Sequence, residues 1–378
     1  MNYLKNEWDA LERYFPSLKA EVENIEFSKR EGKDSDVLEV YRKNGGPGLM
    51  VSKELGGLGA GPVDAVRVHR ALGALSPSLA LAATMHDFTV AFLSEYSFYG
   101  NATLSYLEAI AKDNLFVSSG FAEGRSGSNI LDATMSAKKV DGGYLVNGVK
   151  KPCSIAQSMD YITASLKIEN ADGELDQRCI AIIPAGAKGI ETKPFWGINS
   201  LAGAQSMEVS LENVFVEDRN LFMPDEKVPL DSVEAGGFLW FELLVTASYL
   251  GVVSSLIGDV LSLKRGTDRE RMALVSTVET FAKALEGIAY EMQTFESPED
   301  ATEDIVAKAL LVRYGIQQQI GTLAFQSSEL LGGMNFIKNP EIEYSIACCA
   351  PLAFHPPSRG SIAVALDSYM MGGSLELA

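Results

Sequence analysis

Phe121-Ala122-Glu123-Gly124-Arg125-Ser126-Gly127-Ser128-Asn129 is a glycine-broken segment, and short alternating runs, an Asp141-Gly142-Gly143 turn and Asn147-Gly148-Val149-Lys150 follow it before Ser154. Small residues at 124, 126, 127 and 128 let backbone approach a ligand closely. The N–H groups exposed in such turns can hold a phosphate or the edge of a flavin ring. Glycine and serine are also the ordinary chemistry of turns, so the stretch takes its meaning from what surrounds it.

Outward from it, the hydrophobic period changes twice. From Asn2 to about Leu115 the spacing is helical, broken at Pro16, at Gly45-Gly46-Pro47 and at the cluster from Gly56 to Pro62. From Phe116 to about Asp218 the period is two: runs such as Tyr161–Leu166, Cys179–Ile183 and Met207–Leu211 are separated by Gly, Asp and Pro. From Ser232 onward long helical patterns return, at Phe238–Leu263, Glu270–Thr294 and Thr302–Leu331. The expected fold is therefore α+β and multi-domain. It has an N-terminal helical domain (1–115), a small β-barrel or sandwich (116–225) and a C-terminal four-helix bundle (226–378), packed around a shared crevice.

The 378 residues are 47% hydrophobic, enough for sizeable cores, and carry a net charge of −18. That charge argues against a nucleic-acid or anionic-membrane partner, since both need concentrated Lys and Arg. Cys153, Cys179, Cys348 and Cys349 lack metal-ligand spacing, as do His69 and His86, so no metal is expected, and a reducing cytoplasm fits best. The start Met1-Asn2-Tyr3-Leu4-Lys5 has no apolar core of a secretion signal. The apolar run Phe238–Leu261 is interrupted by Glu242 and Asp259 and reads as a buried bundle helix, not a membrane span.

Four motifs occur in an order that resembles the acyl-CoA dehydrogenase family. They are the turn Gly48-Leu49-Met50-Val51-Ser52-Lys53-Glu54-Leu55-Gly56-Gly57-Leu58-Gly59, then Ser76-Pro77-Ser78-Leu79-Ala80, the 121–154 region, and Glu329-Leu330-Leu331-Gly332-Gly333. The resemblance covers nearly the whole chain and implies FAD between barrel and bundle. It implies that Phe121 and Ala122 line the flavin, that Ser128 reaches its phosphates, and that Pro152, Cys153 and Ser154 pack on the ring. It also implies that Glu329, Gly332, Gly333, Arg359 and Ser361 reach a cofactor held mainly by a neighbouring subunit, hence a homodimer or homotetramer. Read from the residues alone, Gly332-Gly333 is equally a helix C-cap and Arg359 equally a surface ion-pair partner.

The chain departs from that family at its base. Where many members carry a Glu that removes the α-proton of an acyl thioester, on CoA or a carrier protein, this chain has Pro357 within His355-Pro356-Pro357-Ser358-Arg359. Proline takes no proton. Glu242, close to where some relatives carry the base on a bundle helix, and His355 are the two substitutes the sequence offers. The resemblance thus implies a flavin-dependent oxidoreductase acting on an acyl thioester. Two alternatives share its fold: a reduced-flavin-dependent monooxygenase, which needs no such base, and a catalytically silent relative that binds an acyl carrier.

Overall fold

The computed structural model describes residues 2–124, 133–170, 172–223 and 230–375. Helices α1 (Lys5–Tyr14), α2 (Leu18–Glu23), α3 (Phe27–Glu31), α4 (Val37–Lys43), α5 (Pro62–Leu75), α6 (Pro77–Ser97) and α7 (Leu104–Asp113) come first. Strands β1 (Val117–Gly120), β2 (Ser136–Val140), β3 (Gly143–Cys153), β4 (Tyr161–Glu169), β5 (Leu175–Pro184), β6 (Ile190–Lys193), β7 (Met207–Glu217) and β8 (Leu221–Phe222) follow. The chain then returns to helix: α8 (Leu230–Ser262), α9 (Asp268–Met292), α10 (Glu303–Leu331), α11 (Gly333–Lys338), α12 (Pro340–Cys349) and α13 (Arg359–Met370).

Local chemistry sets several of these boundaries. α5 and α6 open on Pro62 and Pro77, where a missing N–H costs nothing, and the Ser76 hydroxyl caps α6 by accepting from Leu79 N–H at 3.2 Å. At the Gly266-Thr267-Asp268 turn, Thr267 and Glu270 form a reciprocal capping box that starts α9.

The strands form one 8-stranded sheet in the order β6-β7-β3-β2-β4-β5-β8, with β1 parallel beside the first half of β4. Among the described residues the end strands β6 and β8 are not paired with each other, and the strands enclose a core of their own. Parallel pairings of β4 with both β1 and β2 join runs that are distant in sequence. Period-two alternation gives the sheet two apolar faces. On β5, Cys179, Ala181 and Ile183 enter a core made by the sheet itself, while Ile180 and Ile182 join Val117 and Phe222 against Phe92, Leu93, Leu107 and Ile110 of α6 and α7.

α8 is the hub of the helical part. It packs on α5 and α6 to one side and on α9, α10 and α12 to the other, so helices from both ends of the chain share one apolar core. Its contact with α5 is backbone against backbone: a Cβ on Gly73 would lie 2.0 Å from Ser248 O, and one on Gly251 2.2 Å from Arg70 O. Only glycine allows that approach. The segment Ser232–Ser262 is long and apolar enough to cross a membrane, yet 83% of its most apolar window is buried inside the protein. Arg70, only 2% exposed, ties three helices together by donating to Glu7 of α1 and Glu279 of α9, each at 2.6 Å.

Candidate active site

A cavity of about 110 Å³ lies where α6, the end of β1, the end of β3, the first turns of α8 and the 355–356 turn converge. Helical spacing delivers its aromatic walls. Met85, Phe88 and Phe92 share one face of α6, and Glu234, Gly237, Phe238 and Phe241 share one face of α8. Phe121 closes a further side, with its ring centroid 6.1 Å from those of Phe88 and Phe92, and Phe88 meets Phe241 edge-on at 5.2 Å.

The strand edge supplies the polar rim. Beyond β1, Phe121 and Ala122 run beside the end of β3, and Lys151 N–H donates to Ala122 O at 2.8 Å. Lys150, with a fully buried side chain, holds this segment down: its ammonium donates to Glu123 Oε1 at 2.9 Å and to Ser165 Oγ at 3.0 Å. Although burial pushes the Glu123 carboxyl up, hydrogen bonds from Thr134 and Lys150 draw it down to about 2. Ser119, Ala122, Pro152 and Ser154 face the cavity. Ser154 Oγ lies 3.0 Å from Ser206 Oγ, and beside Ser206 the buried Gln205 Oε1 has no hydrogen-bond partner among the described residues. An apolar wall with hydroxyls at its rim suits one face of a flavin ring.

Cys153 corrects the expectation that 152, 153 and 154 all pack on the ring. Alternation along β3 turns Pro152 and Ser154 to the cavity and Cys153 into the sheet core, where it is 0% exposed. Burial pushes its thiol up to about 12, so it is inert at neutral pH.

His355 stands on the cavity wall, with Nε2 2.9 Å from the Tyr249 hydroxyl and its ring edge-on to Phe241 at 5.9 Å. Burial, helped by the Arg313 charge, pushes the imidazole down to about 3, so it is neutral in ordinary buffers. Glu242 is elsewhere: it lies behind the wall, 1% exposed, with both oxygens on Arg313 at 2.6 and 2.9 Å. Burial raises this carboxyl and Arg313 draws it back. The same guanidinium donates to the carbonyls of His355, Pro356 and Leu352, and Tyr314 donates to Pro357 O at 2.8 Å. Glu242 and Arg313 therefore position the 355–357 turn.

The remaining sequence candidates do not meet this cavity within one chain. Glu329, Gly333, Arg359 and Ser361 are exposed, and Gly332, at φ +86°, ends α10 as a helix cap. Ser128 lies outside the described residues. Among the described residues no group of His, Cys, Asp and Glu has the arrangement of a metal site. Arg313 and Glu234 belong to no motif in the sequence, and Lys150 closes one in which it has no assigned role. A lone cation within an apolar strand or helix was the available signal for Lys150 and Arg313, since such charges are buried only when paired.

No protein-family model matches the chain. Isobutylamine N-hydroxylase of Streptomyces viridifaciens is 40% identical over 375 residues, 98% of each chain. Mitochondrial isovaleryl-CoA dehydrogenase of Arabidopsis thaliana is 25% identical over 216 residues, 57% of this chain and 52% of its own length. Among solved structures, FMN-bound TdsC of Paenibacillus sp. A11-2 matches with a TM-score of 0.80 at 15% identity, covering 100% of both chains, a likeness of fold. With end-to-end similarity to the first relative and the same fold as the last, the chain belongs to the acyl-CoA dehydrogenase-like flavoproteins.

Proposed function

We propose that this flavin enzyme is a monooxygenase that uses reduced flavin to hydroxylate the nitrogen of a small aliphatic amine. The observation that carries the reading is the state of the base positions. Pro357 has no proton acceptor, Glu242 is held off the cavity by Arg313, and His355, pushed down to about 3, is too weak a base to take an α-proton. Removing an α-proton from a thioester needs such an acceptor within reach, whereas oxygen transfer to an amine lone pair does not. Similarity along 98% of the chain to an isobutylamine N-hydroxylase supports the amine.

Bound reduced flavin supplies the oxygen chemistry, with the balance RNH₂ + O₂ + reduced flavin giving RNHOH + H₂O + oxidised flavin. The protein's part is to hold and to exclude. Phe121, Ala122, Pro152 and Ser154 would carry the ring, and Ser128 its phosphate. FAD is the form we propose, with FMN the competing one. The phenylalanine walls keep water from the reacting nitrogen. Neutral His355, fixed by Tyr249, offers that nitrogen a hydrogen-bond partner without a repelling charge.

Glu329, Gly332, Gly333, Arg359 and Ser361 would serve a neighbouring subunit's cofactor. The exposed Phe325, Met334, Ile337, Val364 and Met371 around them support a homodimer or homotetramer joined through the C-terminal helices. The four free buried thiols suit a cytoplasmic enzyme.

The test is a single-turnover reaction of protein, chemically reduced FAD or FMN, isobutylamine and ¹⁸O₂. The expected product is N-isobutylhydroxylamine carrying one labelled oxygen, with no oxidation of isovaleryl-CoA by the oxidised holoenzyme. Peroxide as the sole oxygen product across a panel of short amines, or turnover of the thioester, would sink the proposal.

A further inference from the structure

Resting on the amine reading, we propose that Glu234 is the anchor for the substrate's nitrogen, binding it as ammonium and then accepting its proton so that the lone pair is free for oxygen transfer, and that it makes this cavity selective for primary aliphatic amines over neutral ligands of the same shape. Glu234 is 9% exposed and stands one helical turn before Phe238, on the face of α8 that forms the cavity wall. Apart from Glu234, the lining is phenylalanine, methionine, proline, glycine, alanine, two serines and His355. His355 carries no charge in ordinary buffers, which leaves the Glu234 carboxylate as the one charged group among the described residues of the wall.

An ammonium entering such a box loses its water. That loss is severe without a counter-charge and is offset by a carboxylate together with aromatic faces. Glu234 is well placed for the task because it is already held. Arg178, reaching in from β5, donates to Glu234 Oε2 at 3.1 Å, while its own side chain stays 39% exposed. The pair lets a carboxylate persist in an apolar wall before substrate arrives and fixes its direction. Two glycines keep the approach narrow and open: a Cβ at Gly237 would stand 2.9 Å from Phe92, and one at Gly236 3.4 Å from Glu95.

Binding, read apart from turnover, tests the anchor. Full-length protein with FAD present is titrated calorimetrically with isobutylamine and with isobutanol, its neutral analogue of equal size. The unaltered protein is expected to favour the amine at least tenfold in Kd. Glu234→Gln should bring the ratio close to one, and Glu234→Asp should restore part of the preference. Equal affinity of the unaltered protein for amine and alcohol, or an undiminished preference in Glu234→Gln, overturns the anchor. The comparison of two ligands on the unaltered protein stands even if a variant fails to fold. Amine preference without hydroxylamine formation would strike at the N-hydroxylase reading and leave the anchor intact.

Discussion

Arg313→Leu is expected to lower stability by about 3–5 kcal/mol, because it strands the Glu242 carboxylate, 1% exposed, with no counter-charge. Thermal melts over pH should show a signature of the cause. With the guanidinium gone, only burial acts on Glu242, and its folded-state pKa stands well above the unfolded value. Such a carboxylic acid costs nothing below its unfolded pKa, and the cost grows as pH rises toward the folded pKa. The deficit of the variant should therefore be smaller at pH 5 than at pH 8. Adding Glu242→Leu replaces a buried pair by packed apolar groups, which is often close to neutral, so most of the lost stability should return. Activity should not. The carbonyls of Leu352, His355 and Pro356 lose their donor in both variants, and His355 loses its fixed place on the wall. A double variant that recovers both the melting temperature and full turnover would show that the pair only fills space.

Lys150→Met should cost a similar amount, about 3–5 kcal/mol, beneath the Phe121–Ala122 segment, since it removes the buried ammonium from Glu123 in a nearly closed site. Phe121 and Ala122 lie in the segment that Lys150 and Glu123 hold against β3, so flavin affinity should fall at least tenfold, measurable by fluorescence titration. Glu123 also sets the acid limb. Its folded pKa is depressed to about 2, so its contribution is present above the unfolded carboxyl range near 4.3 and is lost as pH falls through about 2. Losing the Lys150 bond raises that folded value, and acid unfolding of the variant should depend less steeply on pH. Unchanged flavin affinity in a folded Lys150→Met protein would remove the clamp from the account.

Helix, strand and helix in succession could be read from hydrophobic period, because each long element buries a face that its own spacing records. The strand pairing could not. Whether β4 meets β1, β2 or β5 depends on crossovers that no local run contains. Cys153 is a different case: period two along 152–154 already places it opposite its neighbours, and reading the three residues as a block hid that. The aromatic box was illegible for a physical reason. Phe88 and Phe92 belong to α6, Phe238 and Phe241 to α8, and in sequence each is an ordinary core residue; only helix packing turns them toward a shared hollow. The fate of Glu242 was hidden likewise, since its partner lies 71 positions away.

The glycine-lined contact between α5 and α8 has a consequence for the order of events at the ribosome. The faces of α5 and α6 that Leu243, Leu250 and Ile257 help to cover are complete long before α8 has been synthesised, because the whole sheet intervenes in the chain. The nascent polypeptide must carry that oily surface bare through the synthesis of every strand, sheltered by chaperones or by loose collapse. Birth of the enzyme's first helices and their burial are thus separate moments, and the interval between them is when this protein is most exposed to aggregation.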